Sequence, residues 1–223
     1  MVAITHGRMA SVHAVTRYAR REREALAETL LAAGPDAPTL CAGWTTRDLT
    51  AHILLREREP LPAAGILIKP LRGWAKSRQD RIAARDWTKL IDQLRKPPAW
   101  SPISNSLTDE AINPLEMYIH HEDVRRAQPG WKARAIDPGL AAKLWARVRG
   151  TPRLILRKFP AAIVIESPDY GRVAAGAGGP EVSLRGAPGE LALFLTGRQA
   201  VADVTLAGPD ELVERLRNAR LGI

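Results

Sequence analysis

Glu116 and His120 stand four residues apart in a stretch opened by Asn113-Pro114. A turn of α-helix advances about 3.6 residues, so a helix through them stacks a carboxylate and an imidazole on one face. His52, upstream in Leu49-Thr50-Ala51-His52-Ile53, falls on or beside the apolar face of a second expected helix with its ring turned inward. Together they make a candidate three-ligand metal site of His52, Glu116 and His120. Three protein ligands leave a coordination position open, and open positions do chemistry. A buried carboxylate is costly unless it is paired, protonated or bound to a metal, which argues that Glu116 has a partner. Imidazole with carboxylate suits zinc, and also nickel, iron or manganese, so the donor set does not fix the metal. A plainer reading stays open on spacing alone: a core histidine, and a Glu-His hydrogen bond along one helix. Asp123, seven residues after Glu116, returns to the same face and can orient His120 through its second ring nitrogen. Pairing of Asp123 with Arg56 or Arg126 is the alternative. His121 faces about 100° away from His120, as a supporting or surface residue, while His6 and His13 have no matching partners.

Placing these residues takes helices on facing sides of a core. Apolar Val12, Val15, Ala19, Leu26 and Leu30 predict a long amphipathic helix over 9–33, ended by Gly34-Pro35. Thr45, with Asp48 three residues on, caps a second helix that runs to about Arg58 and stops at Pro60. Pro60, Pro62 and Pro70 make 60–72 an extended connection, and a third helical region follows from about Gly73, interrupted near Asp86 and ending before Pro97-Pro98. The fourth helix takes Asn113 as N-cap and Pro114 as first residue, and closes near Gln128. Residues 1–130 therefore read as a four-helix bundle whose core can host a metal, with room for a crossover connection. Beyond it the period drops toward two. A helix over 137–148 precedes Ala162-Ile163-Val164-Ile165, a turn at Pro168-Asp169-Tyr170-Gly171, strands near 172–174 and 181–184, a helix over 188–195, a strand over 201–206 and a last helix over 209–218. Residues 131–223 are expected to form a small α+β domain with a mostly antiparallel sheet, so the fold class of the chain is α+β. The run Ala175-Gly176-Ala177-Gly178-Gly179 reads as part of a hairpin, with little support for a phosphate loop.

The chain of 223 residues, 45% hydrophobic and 26% charged, has the balance of a folded globular protein. No apolar run approaches the roughly 18 residues needed to span a bilayer, and the first residues lack the apolar core of a signal peptide, so a cytoplasmic location is expected. The single cysteine, Cys41, forms no internal disulfide and reads as a half-buried structural residue, with a reactive thiol as the alternative. The net charge of +9 is spread along the sequence, without a basic tail, zinc-finger spacing or aromatic-basic interleaving, which argues against nucleic acid as the partner. One cluster, Lys143, Arg147, Arg149, Arg153, Arg157 and Lys158, reads as a solvated helix face and loop, with a polyanion or anionic small molecule as its other reading.

Trp44-Thr45-Thr46-Arg47-Asp48-Leu49-Thr50-Ala51-His52 resembles the signature at the second helix of the mycothiol-dependent maleylpyruvate isomerase and DinB-like superfamily: Trp, then Ser or Thr, two residues, an acid, Leu, two residues and His. Glu116 and His120 are similar to the second half of that family's metal triad. Leu195-Thr196-Gly197-Arg198, after a helix, resembles part of the sterol-carrier-like domain that follows the bundle in the isomerase group. The resemblance implies a DinB-like bundle followed by such a domain, and a divalent metal, commonly zinc, on His52, Glu116 and His120. It also implies mycothiol or a similar small thiol as cosubstrate, and isomerisation, transfer or detoxification of an electrophilic small molecule. Arg198 is the candidate for gripping an anionic substrate through its bidentate fork, with a structural tie as its alternative. Residues 60–112, with Trp74, Trp87 and Trp100, should line the cleft. The rival from another class is a non-enzymatic metal-binding or regulatory module of the same fold.

Overall fold

The computed structural model describes residues 17–105 and 107–222. Helix α1 (Tyr18–Ala33) buries Ala19, Leu26, Ala27 and Leu30. Its expected portion from residue 9, with His6 and His13, lies outside the described residues. The start of α1 is satisfied from a distance, because the Ala19 amide donates to Glu110 Oε1 at 2.9 Å. Helix α2 (Thr46–Arg58) has the predicted capping box: the Thr45 hydroxyl accepts from the Asp48 amide, and Asp48 Oδ2 accepts from the Thr45 amide at 2.9 Å. Here the extended connection expected over 60–72 is corrected. That segment folds into a turn of helix α3 (Pro60–Ala63) and two 3₁₀ turns, Ala64–Ile66 and Lys69–Leu71. Pro60 and Pro70 sit in first-turn positions, where a missing N–H costs nothing. Helices α4 (Arg72–Ala83) and α5 (Trp87–Arg95) follow, split at Asp86, whose carboxylate caps the Lys89 amide.

Helix α6 (Asp109–Arg125) begins earlier than expected, so Asn113 is not its cap and Pro114 lies inside it. Proline cannot donate to the carbonyl four residues back. That carbonyl, of Glu110, is taken by Lys143 Nζ at 3.2 Å, and the Arg147 guanidinium bonds the Ala111 carbonyl. Asn113 works through its side chain instead, donating to the Ile103 carbonyl and Asp109 Oδ1 while accepting from Arg56 Nη1 at 2.8 Å. Two members of the basic cluster are thus spent on α6; Arg149, Arg153, Arg157 and Lys158 are exposed.

Helices α7 (Pro138–Gly150), capped by Asp137, and α8 (Pro152–Ile155) lead into strands β1 (Ala162–Ser167), β2 (Gly171–Gly176) and β3 (Glu181–Gly186). Helix α9 (Pro188–Leu195), strand β4 (Val204–Ala207) and helix α10 (Asp210–Arg217) complete the chain. The sheet order is β2-β1-β3-β4, with β1 and β3 parallel and both outer pairings antiparallel. Ile163 and Ile165 of β1 pair with Val182 and Leu184 of β3 and share one buried face at period two. The glycine-rich run is corrected from a hairpin to a crossover, because β2 and β3 flank β1 rather than each other. Gly176 is required there: its φ is 87°, and a Cβ would lie 2.0 Å from the Ala161 carbonyl oxygen. The last strand starts at Val204, since Gln199–Val201 forms a 3₁₀ turn.

Among the described residues, two apolar cores result. Leu26, Leu30, Leu49, Leu54, Ile82 and Leu90 fill the one among α1, α2, α4 and α5. Leu144, Trp145, Ile163, Leu184, Leu191 and Phe194 fill the other. Helix α6 serves both, giving Met117 and Val124 to the first and Tyr118 and Ile119 to the second. Residues one apart on a helix face about 100° apart, so one helix can wall two cores and present Glu116 and His120 along their seam.

Candidate metal centre

His52 on α2 and Glu116 and His120 on α6 are brought together, each offering a donor atom within 4.8 Å of the other two. Leu49 and Ile53 bury the α2 face that flanks His52. Trp44 lies against the His52 ring with centroids 5.0 Å apart, and the edge of one imidazole meets the other at 5.5 Å and 76°. On α6, His120 Nε2 is 3.2 Å from Glu116 Oε1 and its Nδ1 is 3.0 Å from Asp123 Oδ2. Asp123 therefore orients His120, the first of the two roles open to it in the sequence. Its other charge partner is neither Arg56 nor Arg126 but Arg198, whose Nε and Nη2 donate to the two carboxylate oxygens at 2.8 and 2.6 Å. Arg198 Nη1 donates to the Thr196 carbonyl. Gly197 makes that turn possible with φ 94°, in a spot where a Cβ would stand 2.8 Å from the Leu221 carbonyl oxygen.

The electrostatics follow from burial and these partners. Burial first, then the charge on His120, pushes the His52 imidazole down to about 4, so the ring is neutral at physiological pH with a lone pair to offer. Burial alone would raise the Glu116 carboxyl; the hydrogen bond and charge of His120, joined by Arg56, outweigh it and hold it at about 2. Burial disfavours a proton on His120, yet hydrogen bonds to Asp123, Cys41 and Glu116 prevail and hold it well above the usual imidazole range. Without a metal, then, an imidazolium bridges two carboxylates.

Cys41 is the site residue that sequence reasoning set aside as structural. Its thiol donates to Asp123 Oδ2 at 3.3 Å and lies 3.7 Å from Arg198 Nη2, and it could join His120 and Asp123 as a second donor group. The loop that carries it is pinned to α6 through the Leu40 amide and the Asp123 carbonyl, 3.0 Å apart. That contact joins residues far apart in the sequence, and only the nearness of Cys41 to Trp44 hinted at it. His121 is buried, not a surface residue: it bonds Glu22 Oε1 at 2.7 Å and Thr29 Oγ1 at 2.9 Å and ties α6 to α1. A cleft of about 690 Å³ opens over His52, Glu116 and His120. Residues from 60–67 and 102–103 line it, as expected of that region, but its tryptophan is Trp44. Trp74 and Trp100 are exposed, and Trp87 packs on the core among α1, α2, α4 and α5.

No family profile and no curated protein matches the sequence. The fold does have solved counterparts. The crystal structure of the mycothiol-dependent maleylpyruvate isomerase superposes with a TM-score of 0.53 and 16% identity, covering 85% of this chain and 90% of that one. The crystal structure of a variant of that isomerase, with one histidine replaced by alanine, gives the same figures. The chain shares its fold with that isomerase. Among the described residues, no helix is long and apolar enough to cross a membrane.

Proposed function

We propose that this protein is a metal-dependent enzyme that activates a small thiol, mycothiol or one like it, for attack on an electrophilic small molecule in the cytoplasm. The observation that carries the reading is the convergence of His52, Glu116 and His120 from two helices at the floor of a cleft. The donor set fits a divalent cation such as zinc: one neutral imidazole, one carboxylate, and a second imidazole whose far nitrogen is held by a buried carboxylate, as metal-binding histidines require. When bound, such a cation lowers the pKa of a nearby thiol from about 8.5, so that thiolate dominates at neutral pH. The protein's own groups then have distinct tasks. Asp123 keeps a proton on His120 Nδ1 and presents Nε2 to the site. Glu116 brings the negative charge that makes the site favour a cation. Arg198 is a positioning residue that holds Asp123, and the apolar walls exclude water. The thiol gives its proton to solvent at the open mouth of the cleft, its sulfur bonds an electrophilic carbon of a double bond, and that carbon's π pair moves to the neighbouring atom. Loss of the sulfur after rotation makes the reaction an isomerisation; retention, with a proton taken up, makes it a transfer. In this reading residues 1–130 are the DinB-like bundle that holds the metal, and residues 131–223 the domain that supplies Arg198.

Untagged protein should carry about one equivalent of divalent metal by elemental analysis, and His52→Ala should lose it. Retention of metal by that variant would sink the site. Cobalt-substituted protein titrated with a small thiol should develop a thiolate-to-metal absorption band. Metal without such a band would leave the non-enzymatic module as the better reading.

A further inference from the structure

We infer that residues 61–74 form an interfacial segment that seats the protein on an anionic membrane surface. A chain whose described helices are all too short or too polar to cross a bilayer can still lie on one. This surface borders the cleft and needs neither a metal nor a thiol.

Among the described residues, four of the nine large apolar side chains left exposed crowd into this one segment: Leu61 at 74%, Leu67 at 65%, Ile68 at 49% and Trp74 at 45%. Single exposed apolar side chains are ordinary, but a cluster marks a surface that something covers. Residues 67–70 and 72–74 are all exposed and Leu71 between them is half-buried, so the run from Leu67 to Trp74 holds its apolar groups in water. Leu61 and Trp74 line one shallow hollow with Pro60, and Pro60 and Leu67 both line the wall of the cleft. The apolar side chains therefore stand on neighbouring ground.

The charges select the occupant. From Pro60 to Gln79 the sequence holds no acid. The acids at either end are already spent, Glu59 on Arg78 and Asp80 on Lys76. Lys69 and Arg72 are exposed and have no carboxylate partner among the described residues, and Arg81 meets only the Ser77 hydroxyl. A second copy of the chain would set these cations against their own kind. Nucleic acid would meet the cations and leave Leu61, Leu67 and Ile68 in water. An anionic bilayer satisfies both sets of groups. Its headgroup phosphates take Lys69 and Arg72, the leucines and Ile68 enter the acyl boundary, and Trp74 sits at headgroup level, where an indole has one apolar and one wet side. Because Leu67 also belongs to the cleft wall, the cleft opens at the edge of the docked surface.

Co-sedimentation of the full chain with sucrose-loaded vesicles tests this directly. Vesicles of phosphatidylcholine with about a quarter phosphatidylglycerol should bind the protein about tenfold or more tightly than vesicles of phosphatidylcholine alone. Ile68→Glu should weaken that binding by about tenfold or more. Lys69→Glu with Arg72→Glu should abolish the preference for phosphatidylglycerol. Leu154→Glu, at an exposed leucine of α8 that also stands among cations, should bind as the parent does. Ile68 is exposed enough for its variant to fold, which a circular dichroism melt verifies. Independently of any charge variant, lipids brominated in the acyl chain should quench the bound parent's fluorescence, and Trp74→Phe should lose that part of the quenching. No binding to the anionic vesicles at low ionic strength overturns the inference, as does a folded Ile68→Glu that binds like the parent. Loss of binding in Leu154→Glu moves the contact to another surface and overturns it too. Binding without Trp74-dependent quenching reduces it to charge attraction at a distance, which also overturns it. A parent that sediments as a dimer in ultracentrifugation, with Ile68→Glu a monomer, gives the surface to a second copy and overturns it as well.

Discussion

Asp123 gathers more of the site than any of the candidate metal ligands does: its carboxylate accepts from the His120 ring, the Cys41 thiol and both arms of the Arg198 fork. Asp123→Asn keeps the shape and loses the charge that fixes the His120 tautomer. Metal affinity should fall by about 10- to 100-fold, measured by competition with a chromophoric chelator. A second expectation comes from the proton on metal-free His120. Its pKa is raised, so below that raised value a metal must displace the proton. Metal affinity should therefore drop by about tenfold per pH unit as the pH falls in that range, with about one proton released per metal; calorimetry in buffers of different ionisation enthalpy reads the count. The metal candidates were legible because their geometry is local: Glu116, His120 and Asp123 share one helix face, and His52 sits in a capped helix opened by Trp44. Cys41 was not, and Arg198, though named in the sequence, was not tied there to Asp123, because both contacts depend on a loop and a C-terminal turn folding back on α6.

Elements were read correctly where side-chain periodicity alone decides them, as in α2 with its capping box and in the period-two face of β1. The start of α6 was misread because Pro114 was taken as its boundary, whereas the boundaries read at Pro60, Pro97 and Pro188 stand. Pro114 is tolerated inside α6 because Lys143, from α7, satisfies the carbonyl it orphans, a compensation no local pattern contains. Nor did periodicity reveal the Arg23 to Glu57 pair that links α1 to α2. Both side chains are within 1% of full burial, joined at 2.6 and 2.9 Å, with Leu94 and Asp109 taking further donors. Removing one partner leaves the other buried and uncompensated, so Glu57→Gln should cost about 3–5 kcal/mol in urea unfolding, whereas Arg23→Met with Glu57→Leu should cost much less. Gly65 deserves a parallel test at the cleft wall. A Cβ there would stand 2.4 Å from the Leu71 carbonyl oxygen and 2.8 Å from the Ala75 Cβ. Gly65→Ala should cost about 1–3 kcal/mol by overpacking and shift the segment bearing Leu67, lowering affinity for the cleft's ligand without lowering metal content.

Across the whole molecule, acidic groups on α1, α6 and α9 are joined by arginines that cross between the two cores. Arg126 of α6 bonds Glu122 on its own helix and both oxygens of Glu190 on α9 at 2.6 and 2.8 Å. Arg134, before α7, bonds Glu122 at 2.6 Å and also Glu22 of α1, which meets His121. This network predicts how the fold fails in acid. Burial raises the Glu22 carboxyl, but His121 and Arg134 outweigh it and leave its pKa below the ordinary 4.5; for Glu122, Arg134 and Arg126 outweigh burial in the same way. Such a carboxyl binds its proton more readily in the unfolded chain than in the folded one. The stability it contributes is therefore complete above about pH 4.5 and lost as the pH falls through the lower folded value. Thermal melts should be flat from pH 7 to 5 with respect to these groups and fall steeply below 4.5. Glu22→Gln should melt lower at pH 7, by an amount set by the Arg134 and His121 bonds it weakens, and should fall less steeply below pH 4.5 than the parent. An unchanged acid slope in that variant would mean that the loss begins elsewhere, since Glu22 joins α1 to α6 through His121 and to the residues before α7 through Arg134, and its protonation loosens both connections at once.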